Sequence, residues 1–435
     1  MRARRLLVLC VPALLALGLF GSVSLAGRVP GGPSLRLIGS APNPGTINSD
    51  VAFWGKLAFA GNYDGFRVID ISRPARPVVL SHVRCRGPQG DMSVWGTLLF
   101  VSVDRPQSSE GCDGYDVEDD VLDTAFEGIR IFDVSDPRNP RFVKAVHTDC
   151  GSHTHTLVPD VPNGRVILYV SSYSLVAGPH CGAGRAENPL HSKISVVEVP
   201  LAAPDTASVI ATPAIVAPPF RGGGATPVRT VACHDISVFL PLEIAAASCM
   251  SEGQIWDISD PADPKTLQAI HVDNPAFEFW HSATFSRDGK VIVWGDESLS
   301  SSCHSTGEQD GRLWFYATAA PTKPLSSYLV PPRASKYCSV HMFNVIPVKG
   351  RNLLLSGWYE AGTHVIDFTN PRRPKALAAR APRLANTWAT YYYDGHAYAS
   401  DIARGIDVFS LGAGLTRGAR RLGRLNPQTQ EIVQR

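Results

Sequence analysis

The sequence predicts an all-β protein, a single seven-bladed β-propeller of four-stranded blades spanning residues 33–412. Three observations carry this expectation. One phrase of alternating β-branched and aromatic residues returns seven times along the chain. Most copies sit between two further strand-like runs, so that one unit holds several short strands. The chain has 38 Gly and 34 Pro with only 18% charged residues, which favours many tight turns over long helices.

The phrase reads GFRVIDIS at 65–72, GIRIFDVSDP at 128–137, KISVVEVP at 193–200 and GQIWDISDP at 253–261. Looser copies are GRLWFYAT to Thr318, GTHVIDFTNP to Pro371 and GIDVFSLG to Gly412. Alternation closed by a Pro-rich turn is a strand signature. Ahead of the copies lie runs such as KLAFAG, TLLFVS, RVILYVSS, KVIVWG and NLLLSG. After most come VVLSHV, RFVKAV, TLQAIH or ALAARA. A further strand opens each unit, giving four strands, A to D, in a repeat of about 40–60 residues, the form of a propeller blade. The last unit lacks a strand D. SLRLIGSAP, 34–42, has the matching pattern and is expected to supply it, since an open ring would leave two unpaired sheet edges.

The VIDIS, IFDVSDP and IWDISDP phrases resemble LVIVD repeats, a family of exported and cell-surface bacterial β-propellers. The likeness runs from about Asp50 to Leu411 and implies fold and export, not chemistry. Glu198 and Tyr316 depart from it, standing where other copies have Asp.

Two ends flank the repeats. MRARRLLVLCVPALLALGLFGSVSLAG has a basic start, an apolar run and small residues before a cleavage point, so 1–26 reads as a secretory signal peptide. An uncleaved anchor is the alternative, because the uncharged stretch nearly spans a bilayer. No second apolar run of that length occurs, so no other membrane span is expected. Residues 413–435, basic, polar and aperiodic, read as a surface tail. Without Arg2, Arg4 and Arg5, 38 of the 41 basic side chains face 39 acidic ones. That balance argues against a nucleic-acid partner.

Past the leader stand eight cysteines, Cys85, Cys112, Cys150, Cys181, Cys233, Cys249, Cys303 and Cys338, with no CxxC. Behind an export signal they read as disulfides. All fall in D–A connections, at strand-A starts, at B-strand ends or in B–C loops, hence on one face. Pairing in sequence order, Cys85–Cys112, Cys150–Cys181, Cys233–Cys249 and Cys303–Cys338, is the economical expectation. The B–C loops there are long and polar, which marks a binding face for a small molecule, protein or glycan. The acidic run Asp116 to Asp123 lacks calcium-loop spacing and reads as solvated.

The histidines raise the chemical question. Strand A lines a propeller's channel, and aligning these strands by alternation gives one equivalent position per blade: Ser49, Gly90, His155, His234, His281, His341 and Thr387. Four consecutive blades then offer imidazole at one height, and His153 adds a ring two residues upstream, on the same strand face. Convergent neutral imidazoles with carboxylates behind them suit a transition metal, copper or zinc. Asp235, Asp296, Glu297 and Glu360 are the candidate carboxylates, with Asp296 or Glu297 also placed for proton transfer. The selenium-binding protein and methanethiol oxidase family offers a distant analogy, copper on channel histidines, although its signature motifs are missing here. The bland alternative is a hydrogen-bonded plug of the channel.

No GxSxG, HExxH, GxxxxGK[ST] or strand-linked GxGxxG occurs, which removes the common hydrolase, zincin and nucleotide signatures. Two readings stand. One is a metal-binding protein, extending to a metal-dependent oxidoreductase. The other is a non-catalytic extracellular binding platform. Either is expected to be a secreted or cell-surface monomer.

Overall fold

A computed structural model describes residues 34–117, 124–171, 193–215, 232–250, 252–271, 280–298, 311–331 and 337–431. The leader 1–26, Cys181, Cys303, most of the acidic run Asp116 to Asp123 and most of the second and third long loops lie outside these residues. The described secondary structure is almost entirely β-strand, the one α-helix being the single turn Ala413–Thr416.

The strands form antiparallel groups of four. Each group opens on an inner strand, and these are Asn48–Trp54, Gln89–Trp95, Thr154–Asp160, Ile236–Phe239, Trp280–Phe285, Met342–Ile346 and Thr387–Tyr393. Each inner strand lies against the next, and Thr387–Tyr393 lies against Asn48–Trp54. The last two groups are fused into one eight-stranded sheet by a parallel pairing, Met342 opposite Ala389 and Phe343 opposite Thr390. The strand Leu35–Pro42 pairs antiparallel with Gly405–Leu411, Leu35 opposite Leu411 and Pro42 opposite Gly405.

The apolar core is sliced into layers between neighbouring groups. Strand alternation sends Val51 and Phe53 toward Tyr391 and Tyr398 of the last group, while Ala52 faces Met92 and Val94 of the second. Phe100 and Ile131 meet Leu157 and Leu168, and Phe239 and Ile255 meet Trp280 and Trp294. Both faces of nearly every inner strand are therefore buried, the polar residues among them included. Burying a side chain such as Phe or Leu contributes about 1.5–3 kcal/mol, so each layer is a substantial adhesive.

The repeated Asp has a local cause. Asp70, Asp133 and Asp257 each accept, at Oδ1, the backbone N–H of the serine two residues on, at 2.8, 2.8 and 2.9 Å. Asp367 does the same with Thr369 at 3.0 Å. These turns end the third strand of a group and aim the chain into the fourth. Glu198, which departs from the phrase, pairs with Arg165 instead.

The expectation of a surface tail at 413–435 is corrected. Arg424 and Leu425 pair with Trp54 and Phe53. The Asn426 carboxamide accepts from Val94 N at 2.8 Å and donates to Val94 O at 2.9 Å. Thr429 donates to Leu157 O at 2.6 Å and, with Gln430, pairs parallel with Val238 and Phe239. The Gln430 carboxamide makes the same two-point contact with Phe285, at 2.7 and 3.0 Å. The segment thus straps five inner strands together near their C-terminal ends. Its polarity misled because the inner strands present unpaired backbone groups there, and a polar segment is what satisfies them.

Candidate metal centre

The histidines lie at the N-terminal ends of the inner strands, at the opposite end of the channel from the strap. Within reach of each other are His153, His234, His281 and His341, all buried. Their ring centroids form a chain: His153 to His234 at 4.5 Å, His234 to His281 at 3.8 Å, His281 to His341 at 4.2 Å. Nε2 of His153 is 2.9 Å from Nε2 of His234.

The outer ring nitrogens are anchored. Nδ1 of His153 lies 2.9 Å from Asp104 Oδ2, Nδ1 of His234 2.9 Å from Asp235 Oδ2, and Nδ1 of His341 2.8 Å from the Trp388 carbonyl. The Trp388 carbonyl can only accept, so it fixes the His341 proton at Nδ1 and leaves Nε2 as a lone-pair donor; Asp104 and Asp235 do the same for their rings when ionised. Glu297 closes the set, with its oxygens 3.5 Å from His281 Nε2 and 3.8 Å from His341 Nε2. Tyr359 donates its hydroxyl proton to Glu297 and packs against Tyr337, ring centroids 4.2 Å apart and the planes tilted by 44°.

Burial favours the neutral form of His234, His281 and His341. Burial, reinforced by the neighbouring imidazoles, pushes the His234 and His281 pKa values well below the ordinary 6.5. Burial takes His341 down to about 3. Two sets of donor atoms each converge within 4.8 Å among the described residues: His234, Asp235 and His281, and His281, Glu297 and His341.

His155 does not join them. Its Nε2 and Nδ1 lie 2.6 Å from Ser93 Oγ and 2.8 Å from Ser102 Oγ, and it fills the wall instead. Its strand sits two residues out of the expected alignment. Thr154 donates to the His234 carbonyl and Thr156 to that of Ile236, so the counterpart of His234 is His153. A shift of two preserves strand alternation, so alternation could not choose between the two histidines. Asp296 and Glu360 are likewise outside both converging sets. Asp296 is buried at the end of its strand, and Glu360 is half-buried on the turn after Trp358. Sequence reading did not single out Asp104, Tyr359 or the Trp388 carbonyl. No motif marks them: Asp104 and Trp388 lie in different groups from the rings they touch, and Tyr359 in a different group from Glu297.

A narrow polar space beside the rings, with room for about one water molecule, is lined in part by Ser49, Asp50, Asp91, Asp235 and His341. Asp50, Asp91 and Asp235 are all buried, and burial raises the pKa of each, most strongly for Asp91 and Asp235, which also feel neighbouring carboxylates. Disulfides staple the rim above: Cys85–Cys112 and Cys233–Cys249, the latter beside His234. Cys150 and Cys338 are also disulfide-bonded, while their expected partners, Cys181 and Cys303, lie outside the described residues.

Comparison with known proteins addresses the fold. The LVIVD repeat matches residues 47–84, the first group of four strands. The chain carries an LVIVD repeat. That repeat contributes Ser49 and Asp50 to the channel and none of the four convergent rings, so the match is silent on the metal centre. The propeller of Dos1 is similar at TM-score 0.50 and 10% identity, over 84% of this chain and 79% of that one. The WD40 β-propeller domain of Doa1 is similar at TM-score 0.52 and 10% identity, over 87% of this chain and 98% of that one. At such identities the likeness shows the fold alone, a β-propeller. A search of curated protein sequences returns no match.

Proposed function

We propose that this LVIVD-repeat protein is an exported seven-bladed propeller, closed by its N-terminal strand, that binds one transition-metal ion, copper or zinc, at its channel mouth. The observation that carries the reading is the pair His153 and His234. Each Nδ1 lies 2.9 Å from a carboxylate, and the two Nε2 atoms approach to 2.9 Å, with Gln89 Nε2 also 2.9 Å from that of His153. With both ring protons at Nδ1, the two Nε2 lone pairs would converge where one positive centre can take both. Neutral imidazoles with one carboxylate, Glu297, match the donor preferences of both metals.

The chain's own residues would do three things at this centre. Asp104, Asp235 and the Trp388 carbonyl hold the rings in the donating tautomer. Tyr359 fixes Glu297. The buried setting keeps bulk water away from the ligands. Copper would make the centre an oxidoreductase site, and zinc would supply a Lewis acid. Closure is supported by the pairing of Leu35–Pro42 with Gly405–Leu411, and export by the leader and the disulfides. Among the described residues no helix is long and apolar enough to cross a membrane.

Metal analysis of protein recovered from its native export route tests the proposal. Close to one equivalent of copper or zinc is expected, and it should be lost in His234→Ala and His281→Ala. A folded wild type that carries and takes up neither metal would overturn the reading and leave the non-catalytic binding platform.

A further inference from the structure

The strap's backbone joins the inner strands, while its arginines turn outward. Arg417, Arg420 and Arg421 are exposed. Arg420, Arg421, Arg424 and Trp54 line an open cleft of about 630 Å3. Lys56 and Arg421 share Asp394, at 2.7 and 3.5 Å, and Arg424 pairs with Glu431. The exposed Lys349 is close by, since Arg420 N donates to Pro347 O at 2.8 Å. Among the described residues no carboxylate pairs with Lys349, Arg417 or Arg420. Six cations thus stand with two carboxylates, in a chain whose basic and acidic side chains past the leader nearly balance. A field of one sign on one face draws that face toward a surface of the other sign.

The chain enters the fold on this same face. The Ser34 carbonyl accepts from Gly412 N at 2.8 Å, at the head of the single helical turn that leads to Arg417. Residues 27–33, between the leader and Ser34, reach at most about 25 Å. A leader held in a bilayer therefore keeps the basic cleft beside that bilayer. We propose that the strap face is a docking surface for an anionic phospholipid bilayer, with Lys349, Arg417 and Arg420 meeting its headgroups. The histidine mouth, at the other end of the channel, then opens away from the membrane. The docking is independent of the metal reading.

In the test, protein recovered from its export route is sedimented with vesicles of phosphatidylglycerol and phosphatidylcholine, or of phosphatidylcholine alone. It is expected to pellet with the first only, and less so as salt is raised. The double variant Arg417→Gln, Arg420→Gln should weaken that binding about 5-fold for each charge removed. The double variant Arg86→Gln, Arg105→Gln, on the exposed histidine side, should bind as wild type. Equal pelleting with both vesicles, no pelleting with either, or equal weakening of the two variants would overturn the docking. So would capture of free inorganic phosphate by the cleft without vesicle binding. Neither variant alters a histidine or its anchors, so metal content should match wild type in both, and failure of the docking is distinct from failure of the metal reading.

Discussion

Asp104 Oδ2 lies 2.9 Å from Nδ1 of His153, a contact between the second and third groups of strands. The carboxylate is half-buried, and its desolvation raises its pKa against the opposing pull of that hydrogen bond. It orients a ring whose other nitrogen faces the channel. Asp104→Ala is therefore expected to weaken metal binding about 10–100-fold in a cobalt(II) titration while leaving the fold intact by circular dichroism. Unchanged affinity would remove His153 from the ligand set.

His155 should behave in the opposite way. It is wedged between Ser93 and Ser102, with a backbone N–H bonded to Asp91 at 2.7 Å. His155→Leu strands the buried Ser93 hydroxyl, while Ser102 keeps Ser152 Oγ at 2.8 Å, and is expected to cost roughly 1–3 kcal/mol in denaturant unfolding. Metal content should stay at the wild-type level. Loss of metal without loss of stability would show that this ring is a ligand after all.

A close approach at the rim gives a steric test. A Cβ built on Gly61 would lie 1.9 Å from the carbonyl oxygen of Gly90, itself held at φ +61°. Backbone cannot move aside as a flexible side chain can. Gly61→Ala should destabilise by about 1–3 kcal/mol. Gly414→Ala, where nothing lies within 4 Å, is the neutral control. Equal melting temperatures for the two variants would refute the packing.

The Cys233–Cys249 bridge closes a short loop, with 16 residues of sequence separation, around the start of the His234 strand. The double variant Cys233→Ser, Cys249→Ser is expected to lose about 2–4 kcal/mol of stability. Reducing agent should bring the wild type toward the variant. A wild type indifferent to reduction would mean the bridge does not constrain this region.

The repeated turns predict an acid response. Asp70, Asp133 and Asp257 are held below the ordinary 3.8 by the backbone N–H two residues on. A folded-state pKa below the unfolded one adds stability that is present above 3.8 and lost as pH falls through the lower folded value. The triple variant Asp70→Ala, Asp133→Ala, Asp257→Ala should be less stable than wild type at pH 7. The difference in urea midpoint should shrink as pH drops below about 4. Buried acids with raised pKa values are common to both proteins and cancel in that difference. A gap independent of pH would exclude these turns as its source.

The four-strand repeat was legible because its signals are local: alternation, the Asp-x-Ser turn, and β-branched runs bounded by Pro and Gly. The histidines were legible as a set, since four strands share an imidazole near their start. Which of His153 and His155 faces the axis was not, for strand periodicity is blind to a shift of two. Anchors such as Asp104 and the Trp388 carbonyl come from neighbouring groups, and only ring geometry brings them to their partners. The strap was misread because polar, aperiodic sequence ordinarily means solvent, whereas here it completes the hydrogen bonding of five strands.

The apolar layers lie between groups of strands and seldom within one, which bears on how such a chain is divided. A cut in any connecting segment would leave each fragment with a bare greasy flank at either end. The two pieces, expressed separately, would have no stable resting form except each other. Reassembly of split halves would rebuild the seams in their original order, because every flank is shaped for one neighbour.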